Sequence, residues 1–205
     1  MCRERVVIAL RLFTGAVASG ARLVHDAPMP VPRGVFCAAV AAATLTTVAL
    51  APATTSATHA VRARPALEAK LLVEVNSLRV SRGLAPLRVS RELAAAASRH
   101  SLEMVRHGYF EHDGPGSSYA RRLKAHYPAG RHGRWLVGEN LAWGSPTISA
   151  HDAVSLWLRS PKHRANLLRP SWVEAGISAM HTRAAPGVFQ GRDVTVITLA
   201  FGGRA

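Results

Sequence analysis

Two runs near the end of the chain, WVEAGISAM (172–180) and DVTVITLAFG (193–202), are rich in β-branched residues and read as strands. HTRAAPGVFQGR (181–192) between them is a hairpin-like connection. Before them comes a longer stretch whose apolar residues recur at helical spacing. Helices first and strands last predict an α+β or a layered α/β/α domain, since a sheet must bury its apolar faces against something. Leu67, Leu71, Val75 and Leu78 mark a first helix, broken by Gly83 and Pro86. Ser90 is placed to cap a second, RELAAAASRHSLEMVRHG, that ends at Gly108. Its inward stripe is Leu93, Ala97, His100 and Met104, so His100 faces the core and His107 does not. YFEHDGPGSS is a turn-rich loop, YARRLKAHYP a short helix, and WLVGENLAWGSP is left without an assigned element. Ser149 and Asp152 have capping-box spacing before a third long helix, with Val154, Trp157 and Leu158 on its apolar side. Ser160 and Pro161 then open a further short helix containing His163. Trp143, Trp157 and Trp172 read as core residues.

The first sixty residues read differently. From Val35 the chain runs VFCAAVAAATLTTVALAPATTSATHA, preceded by Arg33 and ending in small residues. A basic start, an apolar middle and a small-residue end describe a secretory signal, with Ala53, Ala57 and Ala60 as cleavage ends. Residues 1–28 lie upstream of where such a signal should begin, and Met29 makes a better start. The rival reading is an uncleaved anchor, although the run barely reaches the ~20 apolar residues a span needs. Either way the remainder is exported: secreted, or held at the envelope if the segment stays. The expected organisation is 1–60 extension and signal or anchor, 61–66 linker, and 67–203 the folded domain.

Charge narrows the partners. Lys and Arg number 26 against 12 Asp and Glu; five of the basic and two of the acidic residues precede residue 61, leaving 21 against 10. A basic exported domain suggests an anionic partner such as lipid or cell-wall polymer. The basic residues are scattered, with no aromatic-interleaved stripe, so nucleic acid is not expected. Both cysteines, Cys2 and Cys37, fall in the first sixty residues, so the domain uses neither disulfides nor thiolate metal sites. A monomer is expected.

Four segments taken in order, ASRHSLEMVRHGYFEHDGP, GENLAWG, AVSLWLRSPKHRANLL and EAGISAM…VTVITLAFGG, resemble the CAP superfamily of cysteine-rich secretory, antigen 5 and pathogenesis-related 1 proteins. The likeness is to its bacterial secreted branch and covers nearly all of 67–203. It implies a three-layer α-β-α sandwich with a cleft, in which His and Glu hold a divalent metal in some members. Matched motif by motif, the loop histidine is His112, the Gly-Glu-Asn glutamate is Glu139, and the Ser-Pro-x-His-Arg histidine is His163. His100 matches a histidine on the second helix of bacterial relatives. The chain departs from the family on its last strand: Thr198 fits, but Leu199 stands where Gln is expected and no histidine is present.

Three N and O donors plus water make an open zinc arrangement, so His112, Glu139 and His163 are the expected ligands of zinc or another divalent ion, with His163 beside Glu139 and His112 opposite. Asn140, Ser160, Arg164 and His100 are the expected supporting residues. A second reading makes the same residues a hydrogen-bonded cluster in which His163 pins its helix to Glu139. No catalytic residue is assigned. The exported part has no cysteine, no Gly-x-Ser-x-Gly elbow and no His-Glu-x-x-His helix, and neither Ser101 nor Ser160 has a spacing that favours a nucleophile. Three functions therefore stand: an extracellular binding module for a metal, a small molecule or a lipid; a metal-dependent hydrolase or protease of the envelope; and a structural or interaction domain.

Overall fold

The computed structural model of the 205-residue chain describes residues 7–15, 60–128 and 135–204. Three long strands form the body of a sheet: β4 (Trp135–Gly144), β5 (Glu174–Ala185) and β6 (Arg192–Arg204). The strand β1 (Val7–Gly15), within the stretch assigned to the N-terminal extension, pairs with β4 from Val7↔Trp143 to Gly15↔Trp135. The sheet runs β1-β4-β6-β5-β2, with β2 (Arg62–Ala63) on the far edge, and every neighbouring pair on this path is antiparallel. A short β3 (Arg88–Val89) adds to β5 in parallel. The helices are α1 (Pro65–Val80), α2 (Arg91–His107), α3 (Tyr119–His126), α4 (Ala150–Arg159) and α5 (Pro161–Leu167).

Strand alternation divides the core in two. Ile197, Leu199 and Phe201 of β6, with Ala142 of β4, pack against Leu71, Val75, Ala153, Trp157 and Leu167 of α1, α4 and α5. The intervening residues face the other way. Val194 and Val196 of β6 join Leu141 and Trp143 against Met104 and Val105 of α2. Val137 and Ala200 meet Leu93, Ala96 and Ala97 of α2 and Tyr119 and Leu123 of α3. The layers are thus α1-α4-α5, sheet, α2-α3. Fully burying a large apolar side chain such as Leu71 or Leu93 is worth ~1.5–3 kcal/mol, so both layers carry substantial stabilisation.

Local chemistry sets the helix ends. The Ser90 hydroxyl accepts from Leu93 N and that of Ser149 from Asp152 N, as their spacing predicts. Gly108 closes α2 at φ 69°, a left-handed cap that costs other residues strain. The inward stripe of α2 buries Leu93, Ala97, His100 and Met104 and leaves His107 exposed, as expected.

Three features differ from the sequence reading. WLVGENLAWG is a strand, β4, buried on both faces from Val137 to Gly144. A doubly buried strand shows no polar alternation, and Gly, Glu and Asn have low strand propensity, so nothing in the run announces it. The stretch 61–66, expected as a linker, contributes β2, whose Arg62 and Ala63 pair with His181 and Met180. The buried stripe of α1 continues from Leu71 and Val75 to Arg79, a cation with no exposed surface. Its guanidinium donates to the carbonyls of Leu167 at 2.8 Å, Ala85 at 3.0 Å and Arg169 at 3.2 Å, tying α1 to the C-terminal end of α5. The signal, its anchor alternative, Met29 and the cleavage ends Ala53 and Ala57 lie outside the described residues. Among the described residues no helix is long and apolar enough to cross a membrane.

Candidate functional site

The Gly-Glu-Asn triplet sits in the middle of β4, and each residue has its own structural reason. Gly138 faces α5, where a Cβ would come within 2.7 Å of the Trp172 ring and 2.8 Å of Asn166 Oδ1. Only a hydrogen there lets Trp172 close the layer. Asn140, two residues on, faces the same way. Its Nδ2 donates to the His163 carbonyl at 3.2 Å, and its Oδ1 accepts from Asn166 Nδ2 at 2.8 Å, so one amide clamps α5 to the sheet. Glu139 lies between them and leaves the sheet on the opposite face, toward α2 and α3.

There Glu139 meets three cation-capable side chains. Arg122 of α3 donates from Nη2 to Glu139 Oε2 at 2.7 Å. His112, from the loop between α2 and α3, donates from Nδ1 to Oε1 at 2.7 Å. His100 of α2 brings its Nε2 to 3.8 Å of the same oxygen. Glu139 has no exposed surface, and Arg122, His100 and His112 are all buried. Arg122 Nη1 also donates to His100 Nδ1 at 3.0 Å and to the His112 carbonyl at 2.9 Å. The loop bearing His112 is fixed by Asp113, whose Oδ1 accepts from Tyr119 N at 2.7 Å at the start of α3.

These contacts fix the protons. A guanidinium only donates, so His100 Nδ1 is an acceptor and its hydrogen is on Nε2, donated to the Glu111 carbonyl at 2.9 Å. An ionised carboxylate only accepts, so His112 carries hydrogen on Nδ1. Its Nε2 is buried with no hydrogen-bond partner among the described residues. Burial lowers the pKa of His100 to about 4, opposed by Glu139 and reinforced by Arg122, so this imidazole is neutral at pH 7. Burial alone would raise Glu139; Arg122, the His112 hydrogen bond and His100 together outweigh it and hold the carboxylate below its ordinary range.

The sequence-derived site is therefore divided. His112, Glu139 and His100 come together on the α2-α3 face. His163 and Asn140 belong to the α5 side, where His163 Nδ1 pairs with Ser160 Oγ at 2.7 Å. Ser160 uses its hydroxyl for this contact, not for capping the helix it begins. Arg164 is exposed on α5, outside the buried cluster. The residue that sequence reasoning missed is Arg122. The available signal was its spacing in YARRLKAH, where Tyr119, Arg122 and Leu123 fall on one buried face.

A divalent ion held by His112, Glu139 and His163 does not fit this arrangement. A guanidinium 2.7 Å from one Glu139 oxygen would repel an incoming dication, and the other oxygen already takes the His112 proton. Among the described residues no three His, Cys, Asp or Glu side chains are placed to hold a metal.

Comparison with known proteins gives a consistent set of relatives. Residues 72–194 match the model of the cysteine-rich secretory protein family, CAP. The chain is 31% identical over 145 residues to the uncharacterized protein YkwD of Bacillus subtilis, covering 67% of this chain and 53% of that one. It is 32% identical over 110 residues to the uncharacterized membrane protein YlbC of the same organism, covering 54% and 30%. The chain thus spans about half of one curated relative and less than a third of the other. An extracellular SCP-domain protein of Bacillus anthracis is similar in structure, with TM-score 0.52 and 25% identity over 69% of this chain and 41% of that one. An outer surface protein of Borrelia burgdorferi shares the fold, with TM-score 0.54 and 23% identity over 67% and 92%.

Proposed function

The chain belongs to the cysteine-rich secretory protein (CAP) family, and from that premise we propose that it is an exported binding module that engages anionic lipid or wall polymer through its basic surface. The observation that carries this reading is the direction in which the charges face. Four acidic residues are engaged within the fold, Glu139 with Arg122 and His112, Glu92 and Glu174 with Arg204, and Glu68 with the Ala179 amide, while Glu111, Asp152 and Asp193 lie exposed. Arg79 and Arg122 apart, the exposed charge is predominantly basic. Arg82, Arg88, Arg106, Arg121, Lys162 and Arg164 are all exposed. A surface of this kind gathers anionic partners over about a Debye length, ~8–10 Å near physiological salt.

Support for export comes from the Arg33-to-Ala60 signal pattern and from the likeness to an extracellular protein of B. anthracis. Burying a carboxylate with a guanidinium and two imidazoles fixes α2, α3 and β4 relative to one another. A hydrolytic reading has one observation in its favour, the Glu139–His112 pair that leaves His112 Nε2 without a partner among the described residues.

Cosedimentation of the protein with phosphatidylglycerol-containing vesicles and with purified wall teichoic acid, across a salt series, tests the binding reading. Binding to at least one of them that weakens at least tenfold between about 0.05 and 0.5 M salt is expected. Retention indifferent to salt, or none at low salt, would sink it. Turnover of a peptide or ester substrate that Glu139→Gln abolishes without loss of fold would move the protein to the hydrolytic class.

A further inference from the structure

We propose that Arg122 is the resident cation of the buried centre: its guanidinium holds the position of charge that a divalent metal would otherwise take, and Glu139 serves to orient His112 and not to ligate an ion. This holds or fails independently of the envelope-binding reading.

The atoms that Arg122 contacts point to this role. Its two terminal nitrogens bind a carboxylate oxygen, Glu139 Oε2 at 2.7 Å, an imidazole nitrogen, His100 Nδ1 at 3.0 Å, and a peptide oxygen, His112 O at 2.9 Å. Arginine usually seeks carboxylates and carbonyls; donating to the bare nitrogen of a neutral imidazole is the less common part. One carboxylate O, one imidazole N and one carbonyl O converging on one buried cation is a donor set that divalent ions also use. The difference is that a guanidinium is planar, always charged, and tethered to α3. It thus brings α3, α2, the His112 loop and β4 to one point, as a structural metal does, without needing an ion from the medium.

His112 completes the arrangement. With Arg122 neutralising Oε2, the other carboxylate oxygen is left to the His112 Nδ1 hydrogen at 2.7 Å. Carboxylates in this relation hold an imidazole in one tautomer and one orientation. Glu139 thereby acts through His112, as a positioning residue.

Ring nitrogen spectra of the 15N-labelled protein at pH 7, with and without zinc chloride, test this directly. In the wild type His100 should carry its proton on Nε2 and His112 on Nδ1, and one equivalent of zinc should leave both patterns unchanged. Arg122→Met, which removes the cation and keeps the bulk, should expose the donor set: zinc should shift the His100 nitrogens and raise the Tm of the variant but not of the wild type. Arg122→Lys should retain a cation and resist zinc as the wild type does. Stoichiometric zinc that moves the His112 or His100 signals of the wild type would overturn the proposal. So would a folded Arg122→Met protein whose His100 ignores zinc. If that variant does not fold, the wild-type spectra still decide, because the opposite tautomer at either histidine refutes the assignment.

Discussion

Replacing Arg122 by Met removes the guanidinium that is hydrogen-bonded to Glu139, a carboxylate with no exposed surface. Breaking a buried ion pair from one side costs ~3–5 kcal/mol, because the remaining charge is stranded. The variant also unpairs His100 Nδ1 and the His112 carbonyl, which places the loss at the upper end of that range. A domain of this size has ~5–15 kcal/mol to lose, so the variant should fold but be marginal. Glu139→Gln alone strands Arg122 and should cost a similar amount. The two together remove both charges while the new side-chain amide still accepts from His112 through its carbonyl oxygen. The double variant should therefore be at least ~2 kcal/mol more stable than the sum of the single losses implies. Urea denaturation at pH 7 followed by tryptophan fluorescence measures all four corners. With a slope of ~1–3 kcal/mol per molar, the Arg122→Met midpoint should fall by ~1 M or more. Losses that add to within ~0.5 kcal/mol would show that Arg122 and Glu139 do not stabilise each other, and the reading of Arg122 as the resident cation would be wrong.

The same centre sets the response to acid. Because the His100 pKa is about 4 in the fold against an ordinary value of 6.5, the folded protein binds fewer protons between those values than the unfolded chain does. Stability should therefore fall as pH drops through that window and stay flat just above it. The loss reaches ~3 kcal/mol by pH 4, Glu139 adds to it below its ordinary pKa, and His100→Gln should flatten the slope; a wild-type melting temperature constant from pH 6.5 to 4 would contradict this. Gly138→Ala should lose ~1–3 kcal/mol by forcing Trp172 and Asn166 apart, with a changed tryptophan emission, whereas an unaltered midpoint in urea would mean that the close approach is not real.

The helices were legible in the sequence because each carries its own signal: Ser90 and Gly108 bracket α2, and Ser149 with Asp152 opens α4. The strand that bears the site was not. Its meaning lies in what each residue touches across the fold, and Gly138, Glu139 and Asn140 have no local preference for extended chain. The motif resemblance drew His112, Glu139 and His163 together with His163 beside Glu139; that His112 is the imidazole bonded to Glu139 was not legible. Nor was the division that sends His163 to the other layer, because it depends on which face of β4 each side chain leaves. Arg122 and Arg79 were invisible for a common reason. Spacing marks them as inward, but a cation is ordinarily assigned to the surface, and only the converging carbonyls, imidazole and carboxylate reverse that assignment.

Consecutive residues with opposed obligations also act as an alignment key during assembly. β4 offers β6 almost no hydrophobic alternation by which to choose a partner position, since both its faces are buried. A slip by one residue would carry Glu139 into the apolar layer beside Trp157 and Leu167 and present Asn140 to Arg122, penalising the wrong register by the full cost of a bare buried carboxylate. A shift by two restores the faces but sets Leu141 against the guanidinium. The triplet therefore makes one pairing of this strand stand apart from its neighbours, and a single insertion between Val137 and Leu141 would be penalised at the folding step.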